Sequence, residues 1–243
     1  MQFPHIDQVA LPRHNNFNYR GQTLYWSGSD NAERYQTNCN SGAKKQLLDK
    51  LGFTDTSITY KYNSYGFRDE EFDHRPCGLA FGCSHTQGVG LPVDSAWPRI
   101  LSELSGTWTW NFGVGGSSLD TVFRLLDFWL PYFDPEFVVV CVPSSSRVEV
   151  FDHDNPTILL PGPYEYEDRL KNFYKLWISS DNNTHIARRK NLLAIEKLCN
   201  DRNIHLITVD SQQLLDCAAD ARDLLHTGAV GNREFAEKIK EQL

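Results

Sequence analysis

The stretch "LAFGCSHTQGVG", residues 79–90, decides the fold. It begins as a short apolar run, which is typical of a buried strand, and it ends in small residues that favour a turn. Three further runs share this character: "TWTWNFG" from 107, "EFVVVCVPS" from 136 and "NIHLITVD" from 203. The sequence therefore predicts four buried strands.

Segments with helical periodicity separate these strands and follow the last of them. Their apolar residues recur at spacings of three and four, as at Ile100 and Leu104. The predicted helices cover 94–104, 117–130, 164–178, 184–202 and 232–243. Asp94 or Ser95 can cap the first of these helices, and Asn232 can cap the last.

The alternation of strands and helices predicts an α/β fold. Right-handed crossovers between the strands give a mostly parallel sheet with helices on both faces, which is a three-layer α/β/α sandwich. Ligands of such sheets bind at the carboxyl ends of the strands. Four loops are expected at that rim: 83–92, 113–118, 143–149 and the segment after Asp210.

Residues 1–75 do not join this alternation. They are rich in Asn, Tyr and Gly, and they predict irregular structure with a hairpin around "YRGQTLYW", residues 19–26. We expect an N-terminal extension, 1–75, packed on one α/β domain, 76–243.

Composition limits the partners and the compartment. The chain has 243 residues, of which 40% are hydrophobic, and a formal net charge of -7, so that binding of nucleic acid is not expected. No apolar run reaches the ~18 residues of a membrane span, and the first 20 residues lack a signal-peptide core, which together predict a cytoplasmic location. The six cysteines contain no C-x-x-C pair and predict reduced thiols rather than a zinc site. Nothing in the sequence decides the oligomeric state.

Ser84 is the candidate nucleophile. It ends a predicted strand, where its hydroxyl is exposed at the carboxyl rim of the sheet. Attack on a carbonyl requires a base for the serine proton and a third group that orients the base. Asp223 and His226 form a D-x-x-H pair in the loop before the last predicted helix, and they supply both roles.

Acyl transfer also requires donors for the oxyanion. The segment "NFGVGGSSLD", residues 111–120, lies between a strand and a helix, and its glycines let backbone N–H groups approach a ligand. A plain glycine turn gives the same pattern, and taken alone this segment leaves both interpretations open.

Three blocks together resemble the SGNH (GDSL-type) hydrolases. "FGCSHTQGVG" is similar to the family's G-D-S-x-T/S block, with Cys83 in place of Asp; "NFGVGGSSLD" is similar to its glycine block, and "DLLHTGAVG" from 223 to its closing D-x-x-H block. "NSYGFRDEEF" from 63 also resembles an N-x-x-G-F-R segment that often precedes the core in this family.

The resemblance covers about residues 60–243, and it implies a flavodoxin-like fold and ester hydrolysis through an acyl-enzyme. Ser84 would be the nucleophile, His226 the base and Asp223 its orienter, with the N–H groups of Ser84 and Gly116 as oxyanion donors. No metal or organic cofactor is implied. The expected substrate is a small-molecule or glycan-linked ester.

The third block of the family is altered. Where the family reads G-x-N-D, this chain has "VPSSSR", residues 142–147, so that Ser145 falls at the position of the oxyanion asparagine. Ser144, Ser146 or Arg147 are alternative donors, and Arg147 would add a positive charge beside the oxyanion or an acidic substrate. Cys83, one position before Ser84 on the strand, is expected to point away from the site as a buried thiol.

Two alternatives to an esterase follow from this departure. The fold with an altered third block can serve as a binding or structural module that has lost its chemistry. The same residues can also transfer the acyl group to a sugar hydroxyl, as an O-acyltransferase does.

Overall fold

A computed structural model of the protein describes residues 2–6, 10–162 and 164–243. Its strands are β1 (Thr23–Leu24), β2 (Tyr60–Lys61), β3 (Cys77–Gly82), β4 (Trp108–Gly113), β5 (Pro135–Val142), β6 (Val148–Asp152), β7 (Asn155–Leu159) and β8 (His205–Asp210). Its helices are α1 (Ala32–Cys39), α2 (Gly42–Lys50), α3 (Ser84–Gln87), α4 (Trp97–Ser105), α5 (Leu119–Trp129), α6 (Asp168–Ile178), α7 (Asp181–Asn200), α8 (Gln212–Leu215) and α9 (Ala229–Lys240).

The central sheet has the order β4-β3-β5-β8, and all three of its pairings are parallel. The register places Leu79 of β3 opposite Trp110 of β4 and Val138 of β5. Helices α4 and α9 pack on one face and helices α5 and α7 on the other. The predicted three-layer α/β/α sandwich with a mostly parallel sheet is confirmed, and the four predicted strands are its four strands.

Alternate residues of each strand enter different cores. On β3, Leu79 and Phe81 face α5, whereas Ala80 faces α4. The α5 side is the more aromatic one, and it receives Phe67 and Phe72 from the segment before β3. The segment before β3 therefore shares a core with the sheet. Burial of one such side chain contributes roughly 2–3 kcal/mol to the stability of the fold. The domain boundary at residue 75 stays a prediction, and residues 1 and 7–9 of that extension lie outside the described residues.

The predicted hairpin at residues 19–26 is wrong. Strand β1 instead pairs antiparallel with β2, with Thr23 opposite Lys61. Residues 32–50, predicted to be irregular, contain helices α1 and α2. Helix α1 has only eight residues, and it packs on the core around Leu48 and Tyr60 through the partly buried side chains of Tyr35 and Cys39.

Two predicted helix caps are also wrong. Residues 93–95 form a separate 3-10 turn, and Ala96 precedes α4 as its N-cap. Helix α9 begins three residues earlier than predicted, after Gly228. Asn232 lies inside α9, where its buried side chain accepts a hydrogen bond from the Trp97 N–H at 3.1 Å. It therefore ties α9 to α4 instead of capping its own helix.

The hairpin of β6 and β7 was not predicted. These strands form a separate two-stranded sheet after β5, and Val148 and Leu159 pack there on Tyr174 of α6. Among the helices that the structure describes, none combines the length and the apolar character needed to cross a membrane.

Candidate active site

Ser84, His226 and Asp223 lie in one hydrogen-bonded relay. Ser84 is the first residue of α3 and is separated from the end of β3 by Cys83 alone, and His226 lies in the loop before α9. The Ser84 Oγ is 2.7 Å from His226 Nε2, and His226 Nδ1 is 2.7 Å from Asp223 Oδ2. These are hydrogen-bond distances, and they give the serine proton an acceptor.

The Asp223 carboxylate is enclosed and fully engaged. Its side chain has no exposed surface, and its Oδ1 accepts the backbone N–H groups of Leu225 and His226, each at 3.1 Å. Burial by itself raises the pKa of Asp223, but the hydrogen bonds and charge of His226 and the hydrogen bonds of Ser29 and Leu225 outweigh it and lower this pKa to about 2. An ionised carboxylate only accepts, so Nδ1 of His226 carries the proton and Nε2 is free to accept from Ser84.

The loop that carries Asp223 interlocks with the turn after α3. The N–H of Arg222 donates to the Gly90 carbonyl at 2.9 Å. A Cβ on Gly90 would lie 2.9 Å from the Ala221 Cβ and 3.2 Å from Asp223 Oδ1, and Gly90 has a φ of +80°. Only glycine permits this approach without strain. The turn after α3 and the loop that carries Asp223 are therefore packed as one unit.

A buried ion pair fastens the N-terminal segment to the same loop. Arg222, next to Asp223, donates from Nη2 to Asp30 Oδ2 at 2.6 Å, and the two side chains are 6% and 1% exposed. The Tyr60 hydroxyl donates to Asp30 Oδ2 at 2.5 Å and accepts from the Gly90 N–H at 2.8 Å. Asp30 and Tyr60 of the predicted extension thus join the Asp223 loop to the turn after α3.

Side chains hold two N–H groups of the glycine loop around the end of β4. The Gly113 N–H donates to the Asn111 side chain at 2.9 Å, and the Gly115 N–H donates to Gln87 Oε1 at 2.7 Å. Within the described ranges, the N–H groups of Gly116 and Ser84 have no hydrogen-bond partner. These are the two groups that the sequence proposed as oxyanion donors, and that role stays a prediction.

His85 is a neutral neighbour of the base. Its ring centroid lies 4.7 Å from that of His226, and the residue is 7% exposed. Burial, followed by the charges of His226 and Arg147, lowers the pKa of His85 to about 3. His85 is therefore uncharged near neutral pH, and it places a neutral ring beside His226.

The altered third block forms a turn after β5. The hydroxyls of Ser144 and Ser146 are 2.9 Å apart, and the Arg147 guanidinium donates to the Ser117 carbonyl at 3.2 Å, next to Gly116. Ser145 and Arg147 line a cavity of about 10 Å³ that is completed by residues of α5 and α7. In the part of the chain that the structure describes, no hydrogen bond joins Ser145 to the relay, and its donor role stays a prediction.

Cys83 matches its expected environment. Its thiol is buried at 1% exposure, and all six cysteines, each in a described range, are unpaired. No set of three or more His, Cys, Asp or Glu side chains in the described ranges is arranged to hold a metal ion.

Two polar residues of the site escaped the sequence analysis. The Ser29 hydroxyl donates to Asp223 Oδ2 at 2.6 Å, and Gln87 holds the glycine loop through Gly115. Gln87 lies three residues after Ser84, within the same block, and this position was the available signal. Ser29 is 194 residues from Asp223 in the sequence, and no local pattern connects them.

Comparison with known proteins adds a family description. Neither a family model nor a curated protein matches the chain. Solved structures that it resembles include AlinE4, an SGNH-hydrolase family esterase, with 16% identity and a TM-score of 0.38, covering 70% of this chain and 75% of that one. A member of the lipolytic G-D-S-L family from Veillonella parvula has 14% identity and a TM-score of 0.33, covering 68% and 96%. These similar structures bear the family name that the sequence blocks suggested, but such low TM-scores assign no activity.

Proposed function

We propose that the protein is a serine-dependent hydrolase that cleaves carboxylic esters through an acyl-enzyme. The single observation that carries this proposal is the unbroken relay from Ser84 through His226 to Asp223, with both of its contacts at 2.7 Å. A serine, a base and a buried carboxylate in this order are the groups that acyl transfer requires.

In the proposed acylation step, Ser84 Oγ attacks the ester carbonyl carbon while its proton passes to Nε2 of His226. The tetrahedral intermediate then collapses, the C–O bond to the alcohol breaks, and Nε2 returns the proton to the leaving alcohol. Water repeats the sequence on the acyl-enzyme and releases the acid. The Asp223 carboxylate stabilises the imidazolium that exists in both half-reactions.

The oxyanion is proposed to bind the free N–H groups of Ser84 and Gly116. Each such donor contributes roughly 3 kcal/mol to transition-state stabilisation in mutational tests. Arg147 supports the same region electrostatically, since its guanidinium lies on the Ser117 carbonyl beside Gly116. The substrate is proposed to be a small-molecule or glycan-linked ester.

Hydrolysis of a short-chain acyl ester by the purified chain tests the proposal. Ser84→Ala and His226→Ala are each expected to lower kcat by about 10⁴-fold or more, because either change breaks the relay. Ser64→Ala is the matched control, since Ser64 is exposed and bonds Glu71 on the surface, and it is expected to keep the wild-type rate.

Labelling by a fluorophosphonate probe provides a second readout. Labelling of the wild type that disappears in Ser84→Ala supports a nucleophilic serine. An unlabelled wild type, or unchanged turnover in both relay variants, would contradict the proposal and leave the binding module as the better interpretation. Product analysis with an added sugar acceptor separates hydrolysis from acyl transfer.

A further inference from the structure

We infer that Ser29, from the N-terminal segment, is a positioning residue of this site. Its hydroxyl orients the Asp223 carboxylate toward His226, so that the relay has four members rather than three. This inference rests on the proposed function, because the orientation matters only if His226 acts as a base.

The contacts of the carboxylate define what Ser29 does. Asp223 Oδ2 receives both the Nδ1–H of His226 at 2.7 Å and the hydroxyl of Ser29 at 2.6 Å. The same hydroxyl lies 3.4 Å from His226 Nδ1, so the three groups form a compact triangle. The loop backbone occupies Oδ1. Ser29 is therefore the one donor to the Asp223 carboxylate in the described ranges that comes from outside the 223–226 segment.

The Ser29 hydroxyl lies on a tight turn, residues 27–30, which is called the clamped turn because backbone hydrogen bonds close it. Ser27 and Asp30 exchange backbone hydrogen bonds, with N–O distances of 2.9 and 3.1 Å, and this places Gly28 and Ser29 at the tip of a tight turn. Gly28 adopts a φ of +60°, as a tight turn of this kind favours. The geometry of the turn, rather than a flexible side chain, thus sets the position of Ser29.

Buried contacts hold both ends of that turn. At one end the Ser27 hydroxyl lies 2.7 Å from the Tyr62 hydroxyl, and Gln87, which also holds the glycine loop, donates to it at 3.3 Å. At the other end, Asp30 forms the buried ion pair with Arg222. The turn is therefore tied to the glycine loop at one end and to the Asp223 loop at the other.

The expected consequence of losing the hydroxyl is a slower chemical step. Two donors on Oδ2 fix the rotation of the carboxylate, and with one removed the remaining bond to His226 is less well aligned. A hydrogen bond to a charged group contributes about one power of ten in equilibrium or rate terms. We expect Ser29→Ala to lower kcat about tenfold and to leave KM unchanged, because the hydroxyl acts through Asp223 and not on the substrate.

The experiment compares three serine variants on one short-chain ester, with fluorophosphonate labelling and melting temperature measured in parallel. Ser29→Ala removes the hydroxyl, and Ser29→Thr keeps it on a partly exposed residue. Ser64→Ala is the control, since it removes a serine that donates to another carboxylate at the same distance of 2.6 Å, but on the surface at Glu71.

The expected result is a lower kcat and slower labelling in Ser29→Ala alone, with rates close to wild type in Ser29→Thr and Ser64→Ala. The low-field proton resonance of the His226–Asp223 hydrogen bond should shift in Ser29→Ala and persist in Ser29→Thr. An unchanged kcat and resonance in Ser29→Ala would overturn the inference, as would a loss of rate in Ser29→Ala that Ser29→Thr does not restore.

Failure of the proposed function gives a different pattern. A wild-type chain that is neither labelled nor active would contradict the proposed hydrolase function. An active wild type whose kcat and proton resonance are unchanged in Ser29→Ala would contradict only the positioning role of Ser29. The proton resonance reports the orientation of Asp223 in either case, because it requires no turnover.

Discussion

The residues from β3 onward and the segment before β3 serve the site in different ways. The later part contains the proposed reacting groups, and each of them follows a strand or precedes a helix in a short block: Ser84 after β3, Gly116 after β4 and His226 before α9. The earlier segment supplies supports, Ser29 and Asp30, that contact the Asp223 loop from far away in the sequence. Local blocks thus identify the groups that are proposed to react, while the groups that hold them in place come from long-range packing.

The buried pair of Asp30 and Arg222 offers the strongest test of this division. Asp30→Asn leaves the Arg222 guanidinium buried without its carboxylate, and breaking such a pair costs about 3–5 kcal/mol of unfolding free energy. Urea unfolding measures the loss.

The control lies in the same segment. The pair of Lys45 and Asp49 is exposed to solvent, and Asp49→Asn should therefore change the free energy of unfolding much less than Asp30→Asn does. Equal losses of unfolding free energy in Asp30→Asn and Asp49→Asn would mean that the extension covers the domain without supporting the Asp223 loop. That result would contradict the division between the two regions.

One buried histidine in each region makes a second comparison. Burial is the main cause that lowers the pKa of His14, in the extension, and of His85, beside the nucleophile, to about 3 in both cases. The unfolded chain binds these protons near pH 6.5 and the folded chain does not, so stability decreases as the pH falls from 6.5 toward 3. Each histidine should lower the free energy of unfolding by about 2 kcal/mol as the pH falls from 6.5 to 5.

His14→Gln and His85→Gln should therefore each flatten the dependence of the unfolding free energy on pH over that interval. Asp69, whose pKa burial raises to about 6, acts in the opposite direction, so differences from the wild type are the quantity to measure. His185→Gln, on the exposed side of α7, is the control and should leave the slope unchanged. A slope that changes in only one of the two buried variants would show that the regions respond to acid separately.

Two glycines with the same backbone conformation give the smallest and most selective test. Gly116 has a φ of +80° in the glycine loop, and Gly106 has a φ of +77° at the end of α4 with open space around it. Alanine at either position costs about 1–2 kcal/mol of stability through backbone strain. Only Gly116→Ala should also slow ester hydrolysis, because only there does the strained backbone carry a proposed oxyanion donor. Equal rates of ester hydrolysis in the two variants would contradict the proposed role of the Gly116 N–H as an oxyanion donor.

The sequence predicted the sheet well because β3, β4 and β5 are apolar runs that are buried on both faces of the sheet, whereas β8 at the edge alternates between buried and exposed residues. Val139 and Val140 on β5, for example, enter opposite cores, and such a run is recognisable without knowledge of its partners. The same holds for Ser84 and the Asp223–His226 pair, whose blocks are local.

The missed features depend on partners distant in the sequence. Asn232 bonds to the backbone of α4, and Ser29 meets Asp223 through a turn that is held by Tyr62 and Arg222. None of these contacts leaves a periodic or spaced pattern. Such supports become visible only when the chain is folded.

The clamped turn at Gly28 and Ser29 also has a consequence for how the protein folds. Its contact with Asp223 joins positions 194 residues apart, and the Asp30–Arg222 pair spans 192. Contacts at such separation form late, because the entropy of closing a long loop opposes them until the intervening sheet has formed. During refolding from urea, the sheet should therefore regain its structure before Ser84 regains its reactivity. Recovery of the proposed activity would then mark the final stage of folding, when residues 29 and 30 reach the Asp223 loop.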